Sequence, residues 1–218
     1  MKIKGHIVSY TVLISVFLLS LNACKPDDLK EDNQNQFEPT PYSLEIPLFF
    51  PPMQIPQDNP LTVEGIELGR KLFYDKTLSE NNNISCASCH KQENAFTDPA
   101  QFSVGTNGEI GTRNSMSLVN IGWSPLFFWD GRSATLEEQI LHPVPDPIEM
   151  NLSWEEAEQR IQNKQGYPEM FLKAFGTNQV SRDLITKSIA QFLRTIISSN
   201  SKFDKVRRGE DTFTALES

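Results

Sequence analysis

The pentapeptide Cys86-Ala87-Ser88-Cys89-His90 decides how the rest of this chain is read. It is C-x-x-C-H, the spacing at which haem is attached as a c-type group. Two thiols one short helical turn apart can add across the two vinyl groups. The imidazole that follows swings under the iron as proximal ligand. Other readings fail on counting. The chain has three cysteines and three histidines. A zinc site needs a second Cys or His pair, and outside the N-terminal leader only His142 remains. A thioredoxin-like redox pair needs a βαβ setting, which the flanking sequence lacks. A plain disulfide leaves His90 without a role.

Working outward, the flanks are helical segments and long loops. Glu64 to Tyr74 has helical periodicity, with Thr62 as its N-cap. Lys91 to Gly111 is loop, with Gly105, Gly108 and Gly111 for tight turns. Asn114 to Asn120 is expected as a short helix, and Gly122 to Arg132 as an aromatic-rich loop. Thr135-Leu136-Glu137-Glu138 is a capping box opening a helix to about Leu141. Pro143, Pro145 and Pro147 then predict an extended run. Ser153-Trp154-Glu155-Glu156 is a second box, with a helix to about Lys164. Pro168 starts another helix that ends before Gly176. Ser181 caps the clearest one, with Leu184, Ile185, Ile189, Phe192, Leu193 and Ile196 on one face. No strand pattern or repeat is present. The fold class is mostly α, a cytochrome c-like haem domain with long ordered loops.

The N-terminus reads as an address. Lys2 and Lys4 precede an apolar stretch, Ile7 to Leu21, which ends in Leu21-Asn22-Ala23-Cys24. A small residue before a cysteine at that point resembles a bacterial lipobox, cut before Cys24 and lipidated there. An uncleaved membrane anchor is the competing reading. The expected organisation is a signal peptide at 1–23, a flexible tether at 24–46, the haem domain at 47–204 and a linker at 205–218. The location expected is the cell envelope, on the periplasmic side or as an outer-membrane lipoprotein.

Of the 218 residues, 38% are apolar, enough for a packed core, and the net charge is −8. Removal of residues 1–23 takes two lysines with it and leaves −10 on 195 residues. Nucleic-acid binding is excluded for want of a basic surplus. The acidity points instead to basic redox partners, such as small cationic cytochromes.

Six segments occur in a telling order: Leu68-Gly69-Arg70-Lys71-Leu72-Phe73-Tyr74-Asp75, the haem motif, Ala95-Phe96-Thr97-Asp98, Gly111-Thr112-Arg113-Asn114, Phe128-Trp129-Asp130-Gly131-Arg132 and Pro147-Ile148-Glu149-Met150. From about Pro47 to Asp204 the chain resembles the peroxidatic N-terminal domain of the bacterial di-haem cytochrome c peroxidases, a family that includes the MauG enzymes. The resemblance implies roles. Cys86 and Cys89 would carry the thioethers and His90 would ligate the iron. Trp129 would relay electrons between two haems. Gln139 and Glu149 would form the distal pair, and Asn114 would help to hold a calcium ion. The chemistry of Glu149 stands beside this, because one carboxyl near bound peroxide can take a proton from one oxygen and return it to the other. Burial would raise its pKa towards that task.

Two departures from the family follow. Many members carry a His after a Gly, sixteen residues past the proximal ligand, that caps the resting haem. Here the pair is Gly105-Thr106, so an open haem is expected that needs no reductive activation. His142 is the spare histidine, a distal participant or a surface residue. The chain also has no cysteine after Cys89 and ends at Ser218. It reads as truncated before a second haem domain, which could be separately encoded.

The leading expectation is a haem peroxidase that reduces H2O2 with two electrons from a small cytochrome or other donor. A MauG-like oxidase acting on a partner protein is the second. A monohaem electron carrier, with Met150 or Met116 as second iron ligand, and an inactive remnant complete the set.

Overall fold

The computed structural model describes residues 37–217. The leader at 1–23 and most of the tether lie outside them. The helices among the described residues are α1 (Val63–Phe73), α2 (Cys86–Cys89), α3 (Leu136–Ile140), α4 (Trp154–Gln162), α5 (Tyr167–Phe175), α6 (Arg182–Arg194) and α7 (Lys202–Arg207). The only β structure among these residues is a set of isolated bridges, such as Lys91 with Thr97 and Val104 with Ile110. The mostly helical class therefore holds. No described helix is long and apolar enough to cross a membrane.

Helices α1 and α6 form the spine. Thr62 caps α1, its Oγ1 accepting the Gly65 N–H at 3.1 Å. Leu68, Gly69, Leu72 and Phe73 then fall on one buried edge at helical spacing. Gly69 lets the two backbones touch, since a Cβ there would lie 1.8 Å from the Ser188 carbonyl oxygen of α6. Ser181 caps α6 through the Leu184 N–H at 3.3 Å.

The amphipathic reading of α6 is too modest, because its C-terminal half is buried nearly all round. Its polar residues there are matched. Gln191 donates to Asn59 Oδ1 at 2.9 Å and accepts the Thr62 N–H at 3.0 Å. Arg194 meets both carboxylate oxygens of Glu137, at 2.7 and 3.0 Å, and so ties α6 to α3. Helix α5 packs on α1, and its C-terminus stops at Gly176 in the left-handed region (φ 73°).

Four expectations need correction. Residues 114–120 form no helix. The Asn114 amide donates to the carbonyls of Asp98 and Ala100, and the Thr97 hydroxyl donates to the Ser115 carbonyl. These cross-loop bonds hold the segment open, and a 3-10 turn forms only at Ile121–Trp123. The proline run is not extended. Asp146 captures the N–H groups of Ile148 and Glu149, at 2.9 and 3.0 Å, and folds it into successive turns. Both capping boxes are half made. Thr135 and Ser153 accept their helix N–H groups, but Glu138 reaches back to the Ala134 N–H and Glu156 pairs with Arg160. Finally, the end of the segment assigned to the tether is docked. Tyr42 N–H donates to the Leu61 carbonyl, Val63 N–H to the Thr40 carbonyl, and Thr40 binds Glu64.

The α1–α6 contact gives a direct test. Gly69→Ala should destabilise the protein by about 3 kcal/mol through overpacking against backbone. Gly108→Ala, in open space at φ 87°, should cost about 1 kcal/mol from backbone conformation alone. Denaturant midpoints check both, and equal losses would contradict the close crossing.

Candidate haem site

The attachment motif folds as the single turn α2. The Ser85 N–H donates to Ser88 Oγ at 3.0 Å and the His90 N–H to the Cys86 carbonyl at 2.9 Å. Three-residue spacing puts both thiols on one side of that turn. No disulfide joins them. Burial pushes the Cys86 thiol up to about 12 and raises Cys89 too, with the Ser103 hydroxyl opposing at Cys89. Burial thus disfavours the thiolate form of both cysteines.

His90 leaves the helix at φ −112° and is held from behind. Its Nδ1–H donates to the Phe96 carbonyl at 3.0 Å. That bond fixes the tautomer and leaves the Nε2 lone pair for a metal. Burial lowers the imidazole pKa, against backbone contacts from Phe96 and Met116 and the charge of Asp98, so the ring is neutral. The carbonyl is aimed by two successive left-handed residues, Ala95 (φ 55°) and Phe96 (φ 56°). Such strain persists only where its surroundings hold it. Here the Phe96 N–H donates to the Lys91 carbonyl at 2.8 Å, and Lys91 pairs with the buried Asp98 at 3.0 Å.

Cys86, Cys89 and His90 open onto a cavity of about 460 Å³. Leu118, Phe127, Ile189 and Leu193 supply apolar wall, and Arg113, Asp130 and Arg132 supply a charged end. Arg113 and Arg132 both bind Asp130, at 2.7 and 3.0 Å. Two free thiols, a neutral imidazole with one nitrogen spare and an apolar slot with cations at one end fit a haem.

Glu149 and Gln139 line the same cavity. Their side chains make no hydrogen bond among the described residues, so both are available to a ligand. Glu149 is an exposed residue on the cavity wall, with protein close around its carboxyl. Burial raises its carboxyl pKa, Asp146 raises it further, and Arg132 opposes both. Its backbone is pinned, because the Thr106 N–H donates to its carbonyl at 2.8 Å. Thr106 is itself buried and its hydroxyl donates to Asn83 Oδ1 at 2.7 Å. Gly105 admits the close approach, since a Cβ there would lie 2.2 Å from the Ile148 carbonyl oxygen.

Trp129 lies on the cavity wall with 62% of its surface exposed, its indole N–H donating to the Asn114 carbonyl at 2.8 Å. Asn114 uses its amide hydrogens on Asp98 and Ala100, and its Oδ1 accepts from Thr97 at 3.2 Å. No group of three or more His, Cys, Asp or Glu side chains suited to a metal ion occurs among the described residues. His142 is not on the cavity wall; its ring packs edge-on against Phe128 at 5.4 Å. Met116 and Met150 are both on the wall. Sequence reasoning missed Arg132 and Asp146 as the charges that tune Glu149. Arg132 stood within a quoted motif, whereas Asp146 carried no signal.

The cavity and its residues sit within residues 63–212, which match the family described as di-haem cytochrome c peroxidase. The methylamine utilization protein MauG of Methylophilus methylotrophus is 34% identical over 156 residues, covering 72% of this chain and 47% of the relative. Cytochrome c551 peroxidase of Nitrosomonas europaea is 38% identical over 151 residues, covering 69% and 45%. The crystal structure of a MauG-like protein associated with microbial copper homeostasis superposes with a TM-score of 0.75 at 37% identity, covering 80% of this chain and 52% of that one. The chain thus spans about half the length of the curated relatives it matches.

The charges around Glu149 set signs that can be measured. Its carboxyl should titrate above 4.5, lower in Asp146→Asn and higher in Arg132→Leu. Carboxyl 13C NMR of the three proteins checks this, and identical midpoints would contradict the assignment.

Proposed function

This chain belongs to the di-haem cytochrome c peroxidase family, and on that premise we propose that its cavity is a peroxidatic haem site. The reaction is H2O2 plus two electrons and two protons giving two waters. One observation carries the reading. Glu149, whose carboxyl makes no hydrogen bond among the described residues, lines the same cavity as the two thiols and the His90 imidazole.

Cys86 and Cys89 would hold the porphyrin as thioethers, and His90 would ligate its iron. The bound group supplies one-electron redox chemistry. The protein supplies the proton chemistry. Glu149, its pKa raised by its surroundings, would as carboxylate take a proton from one peroxide oxygen and deliver it to the other. Gln139 orients the peroxide through its unengaged amide. Arg132 limits how far Glu149's pKa rises, and the bond from Thr106 holds the loop so that the carboxyl needs no rearrangement to act.

Electrons come from an external donor. Trp129, exposed on the cavity wall and anchored by its indole N–H to the Asn114 carbonyl, suits transfer to or from a second haem domain, wherever that is encoded. The same placement supports the MauG-like alternative, in which oxidising equivalents leave through Trp129 to a partner protein. Asn114, with a lone pair left on Oδ1 beside the Thr97 contact, would be an oxygen donor to the calcium ion that the resemblance implies. The lipobox at Cys24 supports an envelope lipoprotein.

With its hydroxyl turned to Asn83, Thr106 offers the iron no ligand at the position where the resemblance expects a histidine. The oxidised resting protein should therefore be high-spin, and a bis-His low-spin spectrum would contradict this. A low-spin haem unresponsive to peroxide would instead favour the electron carrier, with Met150 or Met116 as ligand. Glu149→Gln should lower kcat for peroxide by about 10²- to 10⁴-fold with haem content unchanged. Full activity in that variant, measured by donor oxidation at two electrons per peroxide, would overturn the assignment.

A further inference from the structure

Resting on the reading of the cavity as a haem redox site, we propose that electrons enter it on the His90 side, through Tyr74, from an acidic electron-donor protein docked on the basic surface around that residue. The chain is acidic as a whole, at −8. Yet Arg70, Lys71, Lys76 and Lys164 line one surface hollow, with Glu67, Asp75 and Tyr74. Lys164 and Asp75 neutralise each other at 2.7 Å. That leaves three cations against Glu67. No carboxylate lies within ion-pair distance of Arg70, Lys71 or Lys76 among the described residues. Lys71 is held in place, its Nζ 4.4 Å over the Tyr167 ring.

A docked protein feels this local patch more than the distant net charge, because salt screens charges beyond a Debye length of about 8–10 Å. The basic partner suggested by overall composition is repelled at this spot, and an acidic face is complementary to it.

Tyr74 is the patch's connection inward. It is 43% exposed, and its ring lies edge-on to Phe73 at 5.2 Å. Phe73 lies 6.2 Å from Phe96, whose carbonyl accepts the His90 Nδ1–H at 3.0 Å. A second link runs through the Tyr74 hydroxyl, which donates to Gln92 Oε1 at 3.4 Å, two residues along the chain from His90. Electron tunnelling weakens steeply across non-bonded gaps. A run of rings in contact, ending on the proximal ligand's own hydrogen bond, keeps those gaps small. The route is distinct from Trp129, which is anchored to Asn114.

The test uses the haem-loaded full chain, oxidised, anaerobic and without peroxide. Reduced plant-type [2Fe–2S] ferredoxin serves as the acidic donor and a small basic cytochrome c as the contrast. Each transfer oxidises one donor cluster and reduces one ferric iron to ferrous; no bond is made or broken. Ferredoxin should bind by calorimetry at low salt, and its Kd should rise at least about tenfold in Arg70→Glu/Lys76→Glu. Tyr74→Leu should keep the parent Kd but slow ferric haem reduction several-fold, with dithionite reduction unchanged. An unchanged Kd after charge reversal, or an unchanged rate in Tyr74→Leu, overturns the proposal. So does tighter binding of the basic cytochrome at the same surface. Loss of peroxide turnover with donor reduction intact would defeat the peroxidatic reading and leave the entry route standing.

Discussion

The hydrogen bond from His90 Nδ1–H to the Phe96 carbonyl is the constraint on which the site depends. C-x-x-C-H places an imidazole next to two thiols, but a histidine ring is free to turn. The 3.0 Å bond removes that freedom, selects the tautomer and presents Nε2. It exists because Ala95 and Phe96 both take left-handed backbone, held by the Lys91 carbonyl and by the Lys91–Asp98 pair. The loop after the motif would therefore govern how a haem iron is held, although it would supply no ligand itself.

The opposite requirement, a movable proton, is met by a loop tied down through its backbone while its side chain stays free. Thr106 and Asp146 hold the main chain around Glu149, and no hydrogen bond among the described residues engages the carboxyl. A carboxylate with its own hydrogen-bond donors would have a lowered pKa and hold its proton poorly. Asp75 illustrates that case. Burial alone would raise it, but Lys164, Tyr167 and Thr77 bring it down to about 2. Two acids in one fold are thus driven in opposite directions by whether hydrogen bonds reach them. Thr106, at the position where the resemblance expects a distal histidine, spends its hydroxyl on Asn83 and is not on the cavity wall.

Much of this was legible in the residues. The helix starts at Thr62, Ser153 and Ser181 follow from capping chemistry, and α1 shows its buried edge by periodicity. The haem motif declared itself by covalent chemistry, which tolerates little variation in spacing. Glu149 and Gln139 were legible only through family resemblance, since an acid in a proline-rich loop has no local signature. Bonds between residues far apart in sequence were not legible. Asn114 reaching Asp98 and Ala100 abolishes an expected helix, and Asp146 folds an expected extended run. In both, a side chain captures backbone groups that local propensity assigns elsewhere. The burial of Arg194 and Gln191 was hidden for the same reason, as their partners Glu137 and Asn59 lie 57 and 132 residues away.

Everything functional here requires one porphyrin bonded to both thiols. The most direct measurement is the mass of the proteolytic peptide spanning Cys86 to His90, taken from protein expressed with haem-attachment machinery, together with its pyridine haemochrome spectrum. The account predicts one haem on that peptide, with both vinyl groups saturated. A peptide of unmodified mass, or one whose two cysteines form a disulfide, would contradict it.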